Sequence, residues 1–140
     1  MAGEQGNLKH AKVTDLVIRC FYEVYNELGP GFLESVYEAA MAIALRQAGL
    51  SVQRQAPIKV YFRGELVGEF RADVLVEEVV FCELKAASSL VAGHEAQTLN
   101  YMKATTIEVA LLLNFGTKPE FRRMLLDNDR KRHTRFSSPE

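Results

Sequence analysis

Two acidic residues sit where acids are expensive. From Arg71 to Lys85 the chain reads Arg-Ala-Asp-Val-Leu-Val-Glu-Glu-Val-Val-Phe-Cys-Glu-Leu-Lys, which places Asp73 and Glu83 inside apolar, β-branched runs. Such runs read as strands, and a carboxylate in an apolar strand is costly unless something pairs with it. Asp73, Glu83 and Lys85 thus fall in two adjacent strands, where they can pair with one another or with a cation. Glu83 and Lys85 are two residues apart and share one strand face, while Val80, Cys82 and Leu84 take the other. The side taken by Asp73 depends on the turn between the strands. A tight two-residue turn at Glu77-Glu78 sets Asp73 opposite Cys82, facing away from Glu83. An odd loop, such as Glu77 to Val79, sets it opposite Glu83. Two carboxylates about 4 Å apart repel by roughly 4 kcal/mol at an effective dielectric of about 20. A divalent cation removes that repulsion; without one, a carboxylate takes up a proton. Two carboxylates and an ammonium suit phosphodiester hydrolysis, with oxygen ligands for Mg²⁺ or Mn²⁺ and a positive charge beside the attacking water. The competing reading makes Asp73 and Glu83 outward-facing strand residues and Lys85 a solvated strand end.

The rest of the chain reads as one α/β domain. Residues 1–10 read as a loose leader, 11–126 as the domain and 127–140 as a polar, basic tail. Apolar residues at Val13, Val17, Phe21, Val24 and Leu28 have helical spacing, and Gly29-Pro30-Gly31 stops that helix. A second helix is expected from Leu33 to Ala48, where Gly49 ends it. Strands follow at 51–55, 58–63, 66–76 and 79–85, with a hairpin turn at Gly64-Glu65. A small-residue loop from Ala86 to Gly93 leads to a helix at 94–104 and a buried strand at 108–115. Residues 121–126 fit an edge strand or a short helix.

Two further groups of residues carry chemistry. In Gly31-Phe-Leu-Glu34-Ser-Val-Tyr37, Glu34 and Tyr37 are three apart and neighbours on a helix. Gly31 is placed where a backbone conformation other residues dislike is useful. Glu34 also suits the first helical turn for its interaction with the helix dipole, and Tyr37 suits the core. In His94-Glu-Ala-Gln97-Thr-Leu-Asn-Tyr101, His94, Gln97 and Tyr101 line one helical face. That face is either solvated or holds a phosphate or a substrate strand beside a metal.

In this order the motifs resemble the GxxExxY family. The resemblance spans about residues 13–126 and rests on Gly31, Glu34 and Tyr37, on Arg-Ala-Asp-Val-Leu-Val ending at Val76, and on Glu-Leu-Lys-Ala at 83–86. It also rests on the His94–Ala104 helix and on Leu-Leu-Asn-Phe-Gly ending at Gly116. That family is similar to a branch of the PD-(D/E)xK nucleases. The resemblance implies a restriction-endonuclease-like α/β fold, a mixed central sheet flanked by helices. It also implies metal ligation by Asp73 and Glu83, with Glu34 as a further ligand or base, and water orientation by Lys85. Gln97, Tyr101, His94 and Tyr37 fall to the substrate side. Ala72 stands where the motif's proline would be.

Composition narrows the function. At 140 residues, 48% apolar, 25% charged and a net charge of -1, the chain is not a basic nucleic-acid binder as a whole. It has no apolar run of about 20 residues to span a membrane and no secretory leader pattern, and Cys20 and Cys82 read as reduced core residues, so the cytoplasm is expected. The leading expectation is a metal-dependent nuclease acting on DNA or RNA. The alternative is an inactive nuclease-like module used in self-assembly or partner binding. A homo-oligomer is expected from the two sheet edges. From Lys118 to Glu140 there are seven Lys or Arg against four acids, either a solvated tail or a phosphate-binding one.

Overall fold

A computed structural model describes residues 8–131; most of the expected leader and the tail beyond residue 131 lie outside them. Helix α1 (Ala11–Leu28) buries Val17, Cys20, Phe21 and Val24 on the stripe that the spacing predicts. It ends at Gly29, whose φ of 70° lets its N–H turn back to the Tyr25 carbonyl. Helix α2 (Glu34–Gln47) packs beside α1 through Tyr37, Met41 and Leu45. Five strands follow: β1 (Val52–Phe62), β2 (Glu65–Val76), β3 (Val80–Lys85), β4 (Val109–Phe115) and β5 (Pro119–Leu125). Helix α3 (Ala92–Lys103) crosses from β3 to β4.

The sheet runs β1-β2-β3-β4-β5, antiparallel except for the β3–β4 pair. A parallel pair needs a crossover, and α3 supplies it. Helices α1 and α2 cover one face over Val74, Val76, Cys82, Leu84, Leu111 and Leu113. On the other, Ala56, Ile58, Ala72, Phe81 and Ala110 pack with Met102 and Ala104 at the end of α3. Strand β4 is buried along its whole length, as its Val-Ala-Leu-Leu-Leu core predicts.

Three local expectations change. Residues 51–63 do not form two strands. Val52–Phe62 is one strand that carries Pro57 opposite Arg71, and an edge strand tolerates a proline because one row of its N–H groups needs no partner. The hairpin turn lies at Arg63-Gly64 rather than Gly64-Glu65. Both residues have positive φ (50° and 82°), as the two-residue turn that fits strand twist requires. Residues 121–125 belong to β5, paired with β4 from Phe115–Pro119 to Val109–Leu125, and Leu126 lies just beyond it.

The β1–β2 ribbon also changes faces. Val74 and Val76 lie in the α1/α2 layer, yet Ala72, of the same parity, lies in the α3 layer with Ala56 and Ile58. Strict alternation would keep them on one side. The break falls between the paired Arg54–Val74 and Ala56–Ala72. There Gln55 has a φ of 54°, alone in β1 in taking a positive value. Asp73 stands across from it.

Candidate active site

The loop between β2 and β3 is odd. Val76 pairs with Val80, Leu75 with Phe81 and Val74 with Cys82, leaving Glu77, Glu78 and Val79 as a three-residue connection. Glu77 and Glu78 both take positive φ (53° and 57°), and Val79 N–H closes on the Val76 carbonyl at 3.0 Å. This is the register in which Asp73 falls opposite Glu83.

The ladder between β2 and β3 stops at Val74–Cys82, whereas β3 stays paired with β4 to Lys85–Asn114. The two strands thus part at the residues of interest, and the carboxylates replace the missing ladder. Leu84 N–H donates to Asp73 Oδ2 at 2.8 Å. Asp73 N–H donates to Glu83 Oε2 at 3.2 Å. Glu83 is 5% exposed. Burial first, then the charge of Asp73, pushes the Glu83 carboxyl up to about 8. Asp73 is also raised, chiefly by burial, with further contributions from Glu38 and Glu34. With Glu83 buried and Asp73 half-buried beside it, the apposed pair favours sharing a proton or holding a cation.

Lys85 stands at the open end of the notch. Its Nζ lies 3.5 Å from Gln97 Oε1 on α3. Gln97 and Tyr101 face the notch from the α3 side, and burial, followed by the charges of Glu83 and Asp73, raises the Tyr101 hydroxyl. From the other side, Glu34 at the start of α2 accepts the Ala86 N–H at 3.2 Å, tying that helix to the residue after Lys85. The geometry thus brings Asp73, Glu83, Lys85, Glu34, Gln97 and Tyr101 around one notch.

Two expected residues do not join it. Tyr37 is fully buried, stacked on Phe115 at 4.2 Å. Its hydroxyl donates to the Gly29 carbonyl and accepts the Phe32 N–H at 3.1 Å. It secures the loop before α2 and presents nothing to a substrate. Gly31 lies in that loop at a φ of 110°, the unusual backbone its sequence position suggests. His94 turns back on its own helix, where Nδ1 accepts the Val91 N–H at 3.2 Å.

Sequence reasoning missed three residues. Glu38, one turn after Glu34 and nearly buried, takes Arg54 Nε at 2.9 Å and Gln55 Nε2 at 2.7 Å. It holds the residue whose left-handed backbone faces Asp73; the i, i+4 spacing from Glu34 is its signal. Asn114, fully buried, grips Ala87 by N–H to Oδ1 at 2.9 Å and Nδ2 to the carbonyl at 3.0 Å. Gly116 allows this approach, since a Cβ there would collide with the Ala87 carbonyl. An amide in an otherwise apolar buried strand, two residues before a glycine, is the signal for that clamp. Of the basic residues offered as phosphate ligands, Arg122 is paired with Glu95 and Glu120, Arg123 donates to the Lys9 carbonyl, and Lys131 donates to the Thr105 and Ile107 carbonyls at 2.7 and 2.9 Å. Arg132 and Arg135 lie outside the described residues.

The donor set suits a hard, oxygen-seeking cation. Among the described residues Asp73 Oδ1 and Glu83 Oε1 take no hydrogen bond. Also among these residues, no three of His, Cys, Asp or Glu converge as a ligand cluster, so Glu34 does not close a three-carboxylate cage. Mg²⁺ is commonly held by one or two carboxylates with waters and substrate phosphate, a demand that Asp73 and Glu83 meet. No curated protein and no solved structure matches the chain. Residues 11–124 match the sequence profile of one family, and the mixed, helix-flanked sheet has the restriction-endonuclease-like architecture that profile implies. By this match, which covers α1 to α3 and all of the sheet but the last residue of β5, the chain belongs to the PD-(D/E)XK nuclease superfamily.

Proposed function

We propose that this chain is a Mg²⁺- or Mn²⁺-dependent nuclease of the GxxExxY branch that hydrolyses phosphodiester bonds of DNA or RNA. The observation that carries the reading is the Asp73–Glu83 pair, a half-buried and a buried carboxylate apposed where β2 and β3 part, with Lys85 at its open side. Asp73 and Glu83 are the residues to hold the cation. When bound, the cation acidifies a water and neutralises charge on the phosphoryl group. Lys85 offsets charge that develops on the phosphate in the transition state and orients the attacking water. Gln97 keeps Lys85 aimed at the notch. Glu34 fixes the chain after Lys85 through Ala86 and adds negative charge near the cation.

In the same reading the protein works in the cytoplasm as a homo-oligomer. Two buried free cysteines, Cys20 and Cys82, support a reducing compartment. The exposed Phe62, Leu66 and Val67 at the end of the β1–β2 hairpin support pairing with a second copy.

The test is cleavage of single- and double-stranded DNA and RNA by purified protein with Mg²⁺, with Mn²⁺ or with a chelator. Cleavage is expected only with a cation. Lys85→Ala is expected to lower it by about 100-fold or more while keeping the fold and the rise in melting temperature on adding Mg²⁺. Wild-type protein that cleaves none of the four substrates would favour the inactive, partner-binding module, to which the net charge of -1 and the engaged basic residues of β5 lend weight.

A further inference from the structure

Beside the notch lies a cavity of about 550 Å³ that the phosphodiester chemistry does not use. Its walls are mostly apolar: Val60 and Phe70 from the β1–β2 ribbon, and Tyr101 and Ala104 from the α3 side. Gln97, Asn100 and Lys103 supply amide and ammonium groups at its margin. Phe70 and Tyr101 form its aromatic wall, with ring centroids 5.5 Å apart and planes tilted by 35°. Phe70 remains 45% exposed. Two rings that close already touch each other, so a flat ligand stacks on the wall they form rather than between them.

Gln97 joins the two places. It meets Lys85 at the notch and lines the cavity. A ligand that fills both has a phosphate at Lys85 and a flat, polar-edged ring against Phe70 and Tyr101. A nucleotide has those parts in that order. Within a duplex the base is stacked and paired, and reaches such a pocket only by being extruded, at an energetic cost. An unpaired base enters freely, and base–aromatic stacking is the usual grip on single strands.

Resting on the nuclease reading, we infer that the Val60–Phe70–Tyr101 cavity is a subsite for one unpaired nucleobase adjoining the phosphate to be cleaved, and that the substrate is a single-stranded nucleic acid or a frayed end. The face change at Gln55 and Asp73 makes this possible, because it turns Phe70 and Val60 toward α3 beside the carboxylates.

The experiment measures binding of fluorescent oligothymidylate by anisotropy, using Lys85→Ala protein in Mg²⁺ so that the strand survives. The same strand with abasic sites and the corresponding duplex serve as comparisons. The abasic strand and the duplex are each expected to bind about tenfold more weakly or worse, within the range of a lost stacking contact. Phe70→Ala is expected to remove that preference while leaving the Mg²⁺-induced rise in melting temperature intact; Phe70 is half exposed, so its loss leaves the core in place. Equal binding of the intact and abasic strands overturns the subsite, even if wild-type protein cleaves DNA or RNA. A base-dependent, Phe70-dependent grip with no cleavage by wild type upholds the subsite and overturns the nuclease reading instead.

Discussion

Replacing Glu83 by Gln should make the protein more stable at alkaline pH. In the folded chain Glu83 is pushed from an ordinary 4.5 up to about 8, first by burial and then by Asp73. A carboxyl raised in the folded state contributes stability that is fully present below the unfolded value, near 4.5, and is lost as pH rises toward about 8. At about 1.4 kcal/mol per pH unit the ceiling on that loss is about 5 kcal/mol. Water reaching the notch beside Lys85 and Gln97 brings the expected loss to about 2–3 kcal/mol. Asp73 is raised in the same direction, Glu34 and Glu38 add to the repulsion, and Lys85 opposes it. Glu83→Gln mimics the protonated acid and keeps an oxygen for the Asp73 N–H. Thermal unfolding in chelator should therefore show wild type and variant converging near pH 5. By pH 8.5 the variant should melt about 6–9 °C higher, from about 3 °C per kcal/mol for a domain of this size. Mg²⁺ at about 100 times its Kd should return about 2.7 kcal/mol to wild type at pH 8.5 and little to the variant. Parallel pH profiles for the two proteins would refute the reasoning, because the pair would then be solvated and uncoupled. An equal Mg²⁺ response would place the cation elsewhere.

Other perturbations test the scaffold. Gly31→Val should cost about 1–3 kcal/mol in chemical denaturation, because Gly31 sits at a φ of 110°; an unchanged midpoint would mean the loop relaxes to an ordinary conformation. Gly116→Ala should cost about 1–3 kcal/mol as well, since its Cβ would strike the Ala87 carbonyl, and its cleavage rate should fall because Ala87 lies two residues beyond Lys85. Retained stability and rate would remove the Asn114–Gly116 clamp from the account. Light scattering at micromolar concentration should report at least a dimer, and Phe62→Ser with Val67→Ser should shift it to monomer. Monomeric wild-type protein would discard the hairpin interface.

Much of this was readable from residues alone, where spacing and chemistry agreed. The α1 stripe, the buried β4 and the shared face of Glu83 and Lys85 follow from period and polarity, whereas the side taken by Asp73 depended on the loop. The loop could be narrowed only to odd or even. The deciding fact is that Glu77 and Glu78 adopt positive φ, which no preference of glutamate foretells. Pro57 hid the continuity of β1, because a proline argues against a strand unless the strand is known to lie at an edge. Tyr37 and His94 were placed by helical face, yet their partners come from the loops before their helices, Gly29–Phe32 and Val91. Glu38 escaped notice because its partners, Arg54 and Gln55, meet it only once the ribbon changes faces at Gln55.

The place where β2 and β3 part has a consequence for how this fold ages. Asp73 and Glu83 seal two backbone amides that the ladder abandons, those of Leu84 and Asp73. Losing either acid would leave a poorly solvated N–H without a partner, at a cost of about 1–3 kcal/mol. On the nuclease reading, a lineage that gave up hydrolysis would thus still be held by its sheet to an oxygen acceptor at both positions, which an amide supplies as well as an acid. Lys85 carries no such duty: among the described residues its side chain makes one hydrogen bond, the 3.5 Å approach to Gln97. Among descendants of this chain, change at the lysine position, or an amide in place of either acid, is the mark of a retired catalyst, whereas an apolar residue at either acid position is not expected.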